Sequence, residues 1–97
     1  MDVRVTKRAR AQIDRAAQWW DENRDVVPEA FDEDLAKAFS LLSTEPGVGA
    51  PVLDARVEGV RRLHLARIRY HLYYRLRGGY VEVLALWHTS RGGGPSL

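Results

Sequence analysis

Ninety-seven residues, 45% hydrophobic and 29% charged, suffice for one small domain with a single core and exclude a disordered chain. Zero cysteines exclude disulfide and thiolate–metal frameworks, and no apolar run approaches the ~20 residues that cross a bilayer. The net charge of +2 conceals a split: residues 1–55 carry seven Lys or Arg against eleven Asp or Glu, a net −4, whereas residues 56–91 carry eight Arg against two Glu, a net +6.

The charged N-terminal segment has no apolar stretch of signal-peptide type, so a cytoplasmic protein is expected. Residues 2–5 alternate, with Val3 and Val5 on one side, and predict a short first strand. Thr6 can cap a following helix. There Ala9, Ile13, Ala16, Ala17 and Trp20 recur at helical spacing and form a core-facing stripe, with Trp19 at its edge and Lys7, Arg8, Arg10, Asp14 and Arg15 towards water. Residues 22–27 are polar and end at Pro28, which suits the first turn of a second helix. Glu29, Asp32, Glu33 and Asp34 sit near that start, where the helix dipole favours acids. Phe31, Leu35, Ala38, Phe39 and Leu42 make its apolar stripe. Two amphipathic helices with a short loop predict an antiparallel helical hairpin.

Residues 43–51 hold two Pro and two Gly and predict a loop. Residues 52–59 are poorly patterned, extended or loop. Residues 60–65 read as a strand with Leu63 and Leu65 in phase, and Ala66-Arg67 leave a tight connection. From residue 68 the alternation is strict: Ile68, Tyr70, Leu72, Tyr74 and Leu76 on one side, Arg69, His71, Tyr73, Arg75 and Arg77 on the other. Gly78-Gly79 supply a two-residue hairpin turn, and residues 80–88 return. A two-residue turn pairs Leu76 with Val81, Tyr74 with Val83, Leu72 with Ala85 and Tyr70 with Trp87, all on one face. The opposite face pairs Arg77 with Tyr80, Arg75 with Glu82, Tyr73 with Leu84, His71 with Leu86 and Arg69 with His88. A slip of one residue would destroy this sorting.

The order β-α-α-β-β-β predicts an α+β domain over residues 1–91, the helical hairpin packed on one face of a mostly antiparallel, four-stranded, twisted sheet, with residues 92–97 as a flexible tail. The other sheet face then carries cations together with Leu84 and Leu86. Leucines on an uncovered face point to a partner that covers them, and the arginines suit a polyanion or an acidic protein. Arg75 and Glu82 read as a cross-strand ion pair. Three His without Cys predict no metal site. No phosphate-binding glycine motif or nucleophile elbow is present, and no cofactor is expected.

A short strand, two amphipathic helices, then G-V-R-R-L-H-L, R-Y-H-L-Y-Y-R-L and V-L-A-L-W-H-T-S-R resemble the RelE/ParE superfamily of type II toxin–antitoxin toxins, from Val3 to Arg91. His88 and Arg91 resemble the superfamily's C-terminal H-x-x-R ending. The resemblance implies a bacterial toxin neutralised by a cognate antitoxin protein. Its target is either DNA gyrase, bound without catalysis as by ParE-like members, or messenger RNA on the ribosome, cut as by RelE-like members. His71 stands where RelE-like ribonucleases usually carry an Arg, and the segment after His88 lacks their Tyr and Lys, which favours the gyrase reading.

For the ribonuclease alternative the candidates are Arg69, His71, Arg75 and His88, since the expected register gathers them on one face, where imidazoles beside arginines can move protons near neutral pH. Target contacts are expected from Arg61, Arg62, Tyr73, His88 and Arg91. Antitoxin contacts are expected from Leu84, Leu86, Tyr73 and Arg75.

Overall fold

The computed structural model describes residues 1–23 and 27–97. Strand β1 (Asp2–Val5) leads into helix α1 (Lys7–Asn23), whose first turn is closed by the Thr6 hydroxyl accepting from the Ala9 N–H at 3.1 Å. Ala9, Ile13, Ala16 and Trp20 of α1 are buried, one stripe at helical spacing. Helix α2 (Ala30–Thr44) buries Ala30, Phe31, Ala38 and Leu42 and carries Asp32 and Glu33 in its first turn, where the dipole favours them. Pro28 lies in the turn before α2 rather than inside it. The polar stretch expected at 22–27 divides: Glu22 belongs to α1, and residues 24–26 lie outside the described residues.

Among the described residues the sheet has five strands, not four. Ala50–Pro51 forms a two-residue β2, antiparallel to β3 (Arg61–Leu65), at an edge that composition alone reads as loop. β4 (Tyr70–Arg77) and β5 (Tyr80–His88) complete the order β1-β5-β4-β3-β2, with β1 parallel to β5 and the other pairs antiparallel. Both helices cover one face. The core between layers holds Trp20, Phe31 and Leu42 from the helices and Leu65, Tyr70, Leu72, Tyr74, Val81 and Val83 from the strands. Phe31 meets Tyr70 edge-on, with ring centroids 5.8 Å apart.

Expected and observed register agree from Arg77↔Tyr80 to Tyr74↔Val83 and differ beyond it. A bulge leaves Leu84 unpaired, so Tyr73 stands opposite Ala85, Leu72 opposite Leu86, His71 opposite Trp87 and Tyr70 opposite His88. An extra residue in one strand reverses the facing of everything after it. Leu86 therefore turns beneath the helices and is buried, while Trp87 turns away from them. The exchange places the larger Leu86, rather than Ala85, in the main core. Ala85 then fits against the bulky Tyr73 on the far side. Burying a leucine contributes about 1.5–3 kcal/mol, far more than an alanine offers. The α1 side chain of Gln12 secures the arrangement, its Oε1 accepting from the Leu86 N–H at 2.9 Å.

The link between β3 and β4 is also longer than expected. Residues 66–69 all lie in the turn, so Leu65 pairs with Tyr70 and His64 with His71. Arg69 is no strand residue. Its φ of 63° is left-handed, its N–H donates to Leu65 O at 2.8 Å and its carbonyl accepts from Thr89 N–H at 2.9 Å. Arg67 fastens this turn to α2: its Nη2 reaches Asp34 Oδ1 at 2.7 Å, and its Nε donates to both carboxylate oxygens. At the other end, Leu76 has the expected register but is 55% exposed at the hairpin tip.

Candidate functional site

The sheet face opposite the helices is assembled from alternate residues of β3, β4 and β5. Tyr73, Val60 and Ala85 are buried there as a second, smaller core, with Val52, Ala55, Leu84, Trp87 and Leu97 packed around them. This face is thus partly covered by the chain itself. The segment between β2 and β3 closes one side, and residues 93–97 lie across it: Leu97 O accepts from Arg56 N–H at 2.6 Å, and Ser96 O accepts from Arg8 Nη1 at 2.6 Å. A cavity of about 360 Å³ between these segments is lined by Arg56, Arg62, Tyr73 and Pro95 among others.

Tyr73, expected to meet a partner, is on the expected face but only 4% exposed, because these segments already cover it. Leu86, expected on the same face, is on the other side beneath α1 and is only 4% exposed; the bulge is the reason. Leu84 stays half-buried at the margin of the second core. Arg75 forms the expected cross-strand pair, its Nε donating to Glu82 Oε1 at 2.9 Å, and Arg77 approaches the same oxygen at 3.9 Å. The two expected arginine contacts from β3 separate. Arg61 donates to Gly49 O at 2.7 Å, tying β3 to the loop before β2, whereas Arg62, one residue on, is exposed.

The four candidates for ribonuclease chemistry are not brought together. Arg69 is in the turn. His88 pairs with Tyr70 and its ring meets the Tyr70 ring edge-on at 4.9 Å, on the helix side of the sheet. Its Nδ1 accepts from the Ser90 N–H at 3.1 Å and lies 2.7 Å from the Ser90 hydroxyl, so neutral His88 carries its proton on Nε2. His71 lies on the opposite side of the sheet, across from Trp87 and beside His64. Only His71 and Arg75 remain on a common face.

Strand alternation alone missed two residues. Trp87, expected beneath the helices, is on the far side of the sheet, where the Arg91 guanidinium stacks over its ring at 3.8 Å from the centroid. Its Nε1 is buried with no hydrogen-bond partner among the described residues. His64 stands directly opposite His71, with ring centroids 5.0 Å apart. That pairing follows from the four-residue turn after Leu65, which alternation does not reveal.

His71 is held below the usual imidazole range, first by burial and then by the charges of Arg62 and His64. The unfolded chain therefore binds a proton that the folded protein resists. This contribution to stability is complete above the ordinary value of 6.5 and is lost as pH falls from there through the depressed folded value. His71→Gln is expected to flatten that acid-side decline, as read by chemical denaturation at pH 7.5, 6.0 and 5.0.

The ParE toxin family of the type II toxin–antitoxin system parDE matches residues 3–92. A chain from the chromosomal ParDE TA system of P. aeruginosa is similar in structure, with a TM-score of 0.69 and 23% sequence identity over 91% of this chain and 95% of that one. Among curated proteins none matches. The helical hairpin, the mixed sheet and the closing H-x-x-R segment all fall within the matched residues, and the chain belongs to the ParE toxin family of type II toxin–antitoxin systems.

Proposed function

We propose that this toxin acts by binding DNA gyrase in the cytoplasm, without catalysis of its own, and that its cognate antitoxin neutralises it by covering the sheet face opposite the helices. The observation that carries the reading is the placement of His71 and His88 on opposite sides of the sheet, with Arg69 in the turn between β3 and β4. RNA cleavage by its own 2′-hydroxyl needs a base, an acid and a phosphorane-stabilising cation at one phosphate. The candidate set offers no such convergence. Family membership adds to this support, since the alternative of a ribosome-dependent endoribonuclease belongs to the RelE-like branch. No helix among the described residues is long and apolar enough to cross a membrane.

The accessible groups suit a macromolecular contact. Arg62, Arg91 stacked on Trp87, and His88 are the proposed target contacts; Leu84 and Arg75 are the proposed antitoxin contacts, at the margin of a face rich in cations. The test is induction in growing bacteria. DNA breaks and the DNA-damage response are expected, with ribosome-bound transcripts intact. Transcripts cut on the ribosome without DNA damage would overturn the proposal in favour of the ribonuclease.

A further inference from the structure

Two of the three histidines meet across β3 and β4. Antiparallel pairing sets His64 opposite His71, and their ring centroids are 5.0 Å apart with the planes inclined at 59°. An imidazole bonded to a metal through nitrogen at about 2.0–2.1 Å has its ring centroid about 3.2 Å from the ion; two such rings subtending roughly 90–110° at the ion have centroids about 4.5–5.2 Å apart. The observed spacing falls inside that window. Both side chains stand at facing positions on neighbouring strands of one sheet. His64 is exposed and His71 half-buried, which leaves the pair open on its outer side.

We propose that His64 and His71 form a two-histidine chelate for a divalent late first-row transition metal, binding Cu²⁺ ahead of Ni²⁺ and Zn²⁺. Metal ligation requires neutral imidazole. No third His, Cys, Asp or Glu joins the pair among the described residues. The remaining coordination positions fall to water, or to a donor carried by whatever covers this face. Arg62, two residues from His64 on the same face of β3, opposes the ion's charge and keeps the site weaker than a structural metal centre. Sequence composition gave no reason to expect it, because the pairing depends on the length of the turn after Leu65.

The test is titration of the full chain with copper(II) chloride alone, followed by calorimetry and by electron paramagnetic resonance for nitrogen coupling, and repeated with zinc chloride. One Cu²⁺ per chain is expected, bound more tightly than Zn²⁺, with coupling from two imidazole nitrogens. His64→Ala and His71→Ala are each expected to weaken binding at least about tenfold, while His88→Ala leaves it unchanged. Exposed His64 makes His64→Ala the variant that reads the site without disturbing the fold. Binding that survives His64→Ala, as at the N-terminal amine, or that is lost in His88→Ala, overturns the proposal.

Discussion

Leu86→Asp is expected to unfold the isolated protein, and Leu84→Asp, two residues away on the same strand, to leave it folded. Strict alternation treats the two leucines as equivalent and exposed. The bulge separates them, sending Leu86 into the main core with Leu72 and leaving Leu84 half-buried on the far side. Aspartate at 86 forfeits about 1.5–3 kcal/mol of leucine burial and places a carboxylate in apolar surroundings, which adds several kcal/mol more. That total competes with the whole stability of a small domain, about 5–15 kcal/mol. Aspartate at 84 is expected to cost about 1 kcal/mol, within the ordinary range for a partly exposed site. Urea denaturation followed by circular dichroism distinguishes the two. Equal, small losses would mean that β5 runs without the bulge.

Gly49→Ala is the second large effect, expected at about 3 kcal/mol from overpacking together with a lost hydrogen bond. A Cβ at position 49 would stand 2.7 Å from the Tyr74 hydroxyl and 2.9 Å from the Arg62 carbonyl oxygen. Neither neighbour can give way cheaply. Tyr74 is fully buried and its hydroxyl accepts from the Gly49 N–H at 2.8 Å, while the Arg62 carbonyl belongs to the strand that β2 pairs with. Tyr74→Phe alone should cost about 1–3 kcal/mol, because it leaves the buried Gly49 N–H without its acceptor. The double variant is expected to lose less than the two single losses combined, since removing the hydroxyl also removes the nearest obstacle. Strict additivity in the denaturation midpoints would place Tyr74 elsewhere.

These residues also show what was legible in the sequence. Both helical stripes, the Thr6 cap, the Gly78-Gly79 turn and the register of the hairpin tip follow from periodicity and turn chemistry, because polar and apolar residues alternate there without ambiguity. The bulge was not legible. Leu84, Ala85, Leu86 and Trp87 are all apolar, so alternation cannot say which face each takes; volume decides, and volume is a property of the packed core. The four-residue turn before Tyr70 was hidden because Ile68 continues the strand's apolar phase, although it is buried at the turn. Those two shifts account for the site as well. They moved His88 to the helix side, brought Trp87 outward and set His64 against His71. The cover that residues 93–97 and the β2–β3 segment place over Tyr73 left no periodic signal.

The proposed partner surface rests on the same geometry. With the imidazoles divided between two sides, the contacts proposed for the target are the cations and the Arg91–Trp87 stack. The most direct measurement is supercoiling of DNA by purified gyrase with the purified toxin added. Inhibition is expected to saturate at a fixed ratio of toxin to gyrase and to be reversed by the cognate antitoxin. Full gyrase activity, together with cleavage of ribosome-bound messenger RNA by toxin at far below stoichiometric amounts, would contradict it.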